Sequence, residues 1–135
     1  MFCWVFVASL ASADPIVICH PNLKNEDLSN QLLLRIYAMQ KRVWSDNTPV
    51  RVYTFSNDNK VHKDFVNTFL RMQPYQLDRL WHRLVFSGTG KPPEVVASIK
   101  EMMDVVRTQP GSIGYIDSRY LDESDKSLMV VTKSE

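Results

Sequence analysis

WHRLVFSGTGKPPEVVASIKEMMDVVRTQPGSIGYID, residues 81 to 117, carries the transitions that decide the fold. Trp81 and Leu84 continue an apolar helical stripe into Ser87-Gly88-Thr89-Gly90, where the two glycines let the backbone turn without Cβ clashes. Pro92-Pro93 stiffens the exit of that loop. Ser98, with Glu101 three residues on, predicts a capping box for a helix through Val105 and Val106. Pro110-Gly111 ends that helix, and Ile113 to Ile116 reads as an apolar strand. A helix, a tight loop, a helix and a buried strand in this order are the units of an α/β layer.

The flanking sequence repeats the alternation. Ile16-Val17-Ile18-Cys19 is a short β-favouring run that Pro21-Asn22 stops. Leu28, Leu32, Leu33 and Ile36 then recur at helical spacing, with Asn25 or Asp27 as the expected cap. Lys41 to Pro49 is a basic pair, a tryptophan and a polar turn, and Trp44 is expected to cover the edge of the core. Val50, Val52, Tyr53 and Phe55 make a second strand, which Ser56-Asn57-Asp58-Asn59 terminates. Val61, Phe65, Val66, Phe69 and Leu70 share one helical face, and Pro74 suits the first position of a third helix facing inward through Leu77, Leu80, Trp81 and Leu84. Leu128 to Val131 is the last strand, after the acidic turn Asp122 to Asp125. The expected architecture is one α/β domain with a mostly parallel sheet flanked by helices.

Residues 1 to 13, MFCWVFVASLASA, are uncharged and apolar up to an Ala-Ser-Ala triplet, the pattern of a secretory h-region and cleavage site. Cleavage after Ala13 is expected, leaving residues 14–135 as the domain. No other segment approaches the roughly 20 apolar residues of a transmembrane helix, so no membrane span is expected in the mature chain. The 16 basic residues are interspersed with 15 acidic ones for a net charge of +1. A nucleic-acid surface needs clustered Lys and Arg, so that partner is not expected. Cys19 is left without a disulfide partner and reads as a small buried side chain.

Two places have the chemistry to hold an anion. Ser56, Asn57 and Asn59 stand where a strand meets a helix start, with its unpaired N–H groups and positive dipole end. Ser87, Thr89 and Gly90, beside Lys91, are the second choice, since hydroxyls, exposed amides and an ammonium match a small oxyanion. The spacing is not that of a P-loop, which argues against ATP. His20, His62 and His82 do not fall at metal-ligand spacing, and no Gly-x-Ser-x-Gly elbow presents a nucleophile. No metal, no cofactor and no catalysis are therefore expected. Met102-Met103 reads as core.

LLLRIYAMQKRVWSDNTPVRVY (32–53), DFVNTFL (64–70), LWHRLVFSGTGKPP (80–93) and QPGSIGYID (109–117) together make the chain resemble the small phosphate-ABC-transporter substrate-binding-like proteins, of the type II periplasmic-binding-protein kind. The resemblance covers nearly the whole mature chain, most specifically at Phe86 to Pro93 and Pro110 to Tyr115. It implies an exported, periplasmic single-lobe domain that binds phosphate or a similar oxyanion in phosphate ABC transport. The alternative is an interaction or accessory module that docks a transporter or another envelope protein. Two departures stand out. Ile36-Tyr37-Ala38-Met39 replaces the family's Ile-Phe-x-Gly, and Phe55 followed by Ser56-Asn57-Asp58-Asn59 replaces an arginine and a glycine-rich run. The second change removes a bidentate partner for an oxyanion.

Overall fold

The computed structural model describes residues 14–122, 125 and 127–131. Its elements in chain order are β1 (Pro15–Cys19), α1 (Asn30–Tyr37), β2 (Arg51–Thr54), α2 (Lys60–Phe65), α3 (Pro74–Ser87), β3 (Glu94–Val95), α4 (Ile99–Thr108), β4 (Ser112–Asp117) and β5 (Met129–Val131). The proposed leader, residues 1–13, and the tip of the acidic turn at 123 and 124 lie outside the described residues.

The strands form one sheet in the order β3-β2-β4-β1-β5. β2 runs parallel to β3 and β4, whereas β1 lies antiparallel to β4 and β5. The sheet is thus mostly but not wholly parallel, with β1 alone reversed. β1 and β4 are buried along their whole length. Such continuous apolar runs belong to strands covered on both faces. Neighbouring residues of β4 show the two layers, because side chains alternate along a strand. At Gly114 a Cβ would meet the Met102 sulfur of α4, so the glycine admits that helix. The next residue, Tyr115, stacks its ring on Phe65 of α2 at 4.0 Å between centroids.

Local chemistry explains the boundaries. Ser29 caps α1, its hydroxyl accepting from the Leu32 N–H at 3.2 Å, so neither Asn25 nor Asp27 is the cap and Leu28 precedes the helix. Pro74 opens α3 as its spacing suggests, and the Gln76 side chain reaches back to the Gln73 N–H at 2.8 Å. At α4 the Ser98 hydroxyl accepts from Glu101 N–H, while the Glu101 carboxylate returns to Ala97 N–H rather than to the cap itself. α2 runs on as a wider π-helical turn over Val66–Leu70, ended by Arg71 at φ 54°. Met39 holds φ 61°, a left-handed conformation that costs a residue with a Cβ about 1–2 kcal/mol.

Trp44 is 2% exposed and belongs to the core rather than its edge. Its indole N–H donates to the Gly111 carbonyl at 2.9 Å, tying the segment before β2 to the turn before β4. Cys19 is buried, which pushes its thiol up to about 12 and makes it an inert packing group. Among the described residues no helix is long and apolar enough to cross a membrane.

Candidate functional site

The carboxyl end of β2 delivers Ser56 and Asn57 to the rim of a cleft of about 330 Å³. Its walls are largely apolar: Phe55, Trp81, Val85, Pro92, Pro93 and Val95, with Asp78 and His82 as polar neighbours. The third residue of this candidate, Asn59, is the cap of α2. Its side-chain oxygen accepts from the Val61 and His62 amides at 2.8 and 3.3 Å. Ser56 donates its hydroxyl proton to Asp58 at 2.5 Å, and that hydrogen bond holds the Asp58 carboxyl below its usual range. The helix start is therefore supplied with acceptors and negative charge by its own chain.

The glycine loop has the opposite character. Gly88 ends α3 at φ 68°, with its own amide and that of Thr89 bonded back to Val85 and Leu84 carbonyls at 3.1 Å. Ser87 and Thr89 hydroxyls meet at 2.7 Å. Arg42, from the segment between α1 and β2, donates to the Thr89 carbonyl at 2.8 Å. Around the loop lies a hollow of about 520 Å³ bordered by Lys41, Arg42, Gly88, Thr89, Gly90 and Lys91. An adjoining hollow of about 550 Å³ adds Arg83 and Ser87. None of the described residues lining either hollow is a carboxylate.

The two candidates do not combine. α3 separates them: Asp78, Trp81, His82 and Val85 face the cleft, whereas Leu80, Arg83, Leu84 and Ser87 face the basic hollow. The sequence pointed to Lys91, but Lys41, Arg42 and Arg83 join it only through packing. The Lys41-Arg42 pair was the available signal, though nothing local aims it at a loop 47 residues downstream.

A buried polar cluster lies beneath the end of β2. The Tyr115 hydroxyl is 2.8 Å from the Thr54 hydroxyl, 2.5 Å from His62 Nδ1, and accepts from the Phe55 N–H at 3.0 Å. The Thr54 hydroxyl also donates to the Phe55 carbonyl at 3.2 Å, so the cluster engages the imidazole through Nδ1 and leaves Nε2 outside it. That nitrogen is buried and has no hydrogen-bond partner among the described residues. Burial pushes the His62 imidazole down to about 4, against an opposing pull from Asp78. Sequence reading treated His62 as a scattered histidine because no spacing rule connects it with residues 54 and 115.

No protein-family model matches the sequence, and no curated protein does. Solved structures do. An ABC-type phosphate transport receptor from Vibrio cholerae superposes with a TM-score of 0.65 at 16% identity, covering 88% of this chain and 45% of that one. PstS from Borrelia burgdorferi gives 0.66 at 16% identity over 89% and 47%. A protein assigned as a phosphate ABC transporter substrate-binding protein from Clostridium perfringens, solved with bound phosphate, gives 0.65 at 17% identity over 88% and 44%. The chain thus has the fold of phosphate-transport substrate-binding proteins and spans less than half the length of those it matches.

Proposed function

We propose that this chain is an exported, non-catalytic lobe of the phosphate-binding-protein type that holds a small oxyanion such as phosphate at its glycine loop, in the service of phosphate ABC transport. In this reading residues 1–13 are a signal peptide, and residues 14–135 act in the periplasm. The convergence of Lys41, Arg42 and Lys91 on Thr89 and Gly90, with no carboxylate among the described residues that line the hollow, carries the proposal. Ser87 and Thr89 supply hydroxyl donors, and Arg83 extends the positive field. The alternative seat at Ser56, Asn57 and Asn59 is less suited to a dianion, because Asp58 sits there and Asn59 is committed to its helix.

An open hollow leaves its ligand hydrated, and each exposed ion pair contributes only about 0–1 kcal/mol. Three or four such contacts give a dissociation constant on the order of 1 mM. Titrating phosphate into the ¹⁵N-labelled chain at low ionic strength should move the Thr89, Gly90 and Lys91 amide signals together. Arg42→Ala and Lys91→Ala should each weaken binding by roughly twofold to fivefold, and added salt should weaken it further. Asn57→Ala and Asn59→Ala should leave the affinity unchanged. Shifts centred on Ser56 and Asn57 would relocate the site, and an unmoved spectrum at about 10 mM phosphate would end the proposal.

A further inference from the structure

The side of α3 turned away from the basic hollow presents a knob beside a hole. Phe86 is 91% exposed, an unusual position for a phenyl ring. Tyr75, His82 and Phe86 follow one another at helical spacing, forming one outward stripe, and the Arg79 guanidinium lies 5.9 Å from the Tyr75 ring. Directly beside the stripe is the apolar cleft between Trp81, Val85, Pro92, Pro93 and Val95, about 330 Å³ in volume and able to take a phenyl group. Val85 and Val95 remain 54% and 60% exposed at its lip. β3, which carries Val95, is an edge strand of the sheet.

We propose that a second copy of this chain occupies the cleft, giving a two-fold dimer in which each Phe86 enters the cleft of the other copy. Knob and hole lie on the same helix, so a single two-fold axis across α3 satisfies both contacts at once. This is the self-complementarity that a closed isologous dimer requires. A partner of another sequence would need a knob and a hole of its own to match both. The size is adequate: a standard interface takes about 800 Å² from each copy, roughly a tenth of this chain's 8874 Å² surface. α3 is about 21 Å long and, with the 92–95 segment beside it, offers a face of that order.

Sedimentation velocity from about 5 to about 500 µM tests this directly. The expected result is a monomer–dimer equilibrium with a dissociation constant in the tens of micromolar. Phe86→Glu should raise that constant more than tenfold without moving the thermal melt, because the side chain has little contact within its own chain. A wild-type chain that stays monomeric throughout, or a Phe86→Glu chain that dimerises equally well, would overturn the proposal. The phosphate experiment reads the opposite side of α3, so signal shifts at Gly90 should persist in monomeric Phe86→Glu, and the two readings fail separately.

Discussion

Gly111→Ala is expected to cost about 3–5 kcal/mol of folding free energy, a large fraction of the roughly 5–15 kcal/mol that holds an ordinary domain folded. Gly111 holds φ 81°, a conformation that L side chains rarely adopt. An added Cβ would run into the Pro49 carbonyl oxygen and stand 2.9 Å from the Thr48 methyl and 3.3 Å from the Trp44 ring. The backbone cannot step aside cheaply. Its N–H donates to Asn22 at 3.0 Å, and its carbonyl accepts from both the Trp44 indole and the Arg51 amide. Urea denaturation of the variant should show the midpoint collapse. Gly88→Ala is the matched control: φ is 68°, but none of the described residues comes within 4 Å of the new methyl, so only the left-handed penalty of about 1–2 kcal/mol remains. Equal losses in the two variants would show that the contact with Pro49 is relieved by movement.

Between pH 7 and pH 4 the protein should lose about 3 kcal/mol through His62 alone. The imidazole is pushed down to about 4 in the fold, from an ordinary 6.5. Across that interval the unfolded chain binds a proton that the folded chain refuses. The stabilisation is therefore complete above about 6.5 and is lost as the pH falls toward 4. Asp125, drawn down to about 2 chiefly by its hydrogen bond from Ser127, acts only below the usual carboxylate range, so its window lies lower. Stability measured by urea at several pH values should fall steeply over the histidine window, and His62→Phe should flatten that limb. An unchanged slope in His62→Phe would assign the acid sensitivity elsewhere. Tyr115→Phe tests the same cluster at constant pH. It removes the partner of the Phe55 amide and His62 Nδ1, and a loss of about 2–3 kcal/mol is expected.

Much of the architecture was legible because it rests on local rules. Apolar periodicity located α2, α3 and α4. The unbroken runs Ile16 to Cys19 and Ile113 to Ile116 identified the two central strands, and Pro74 and Pro110-Gly111 marked their boundaries. β3 was missed because a two-residue strand has no period, and it exists only where β2 offers an edge. Ser29 was passed over as a cap because Asn25 and Asp27 have equal intrinsic merit until the helix start is known. The reversed direction of β1 also escaped local reading, since an apolar run carries no sign of its direction.

The candidate site divided along the same line. Sequence chemistry named Ser56, Asn57, Asn59, Ser87, Thr89 and Gly90 as groups able to meet an anion. The fold then separated them across α3, spent Asn59 on a cap, and brought Lys41 and Arg42 to the glycine loop. By itself the sequence determined which segments are buried and which residue types could bind, because burial pattern and functional groups are properties of neighbours along the chain. Only the tertiary structure decided which charges share a hollow and which histidine is buried beside a tyrosine. Those are Coulomb and desolvation effects, and they depend on distances between atoms that the order of residues leaves open.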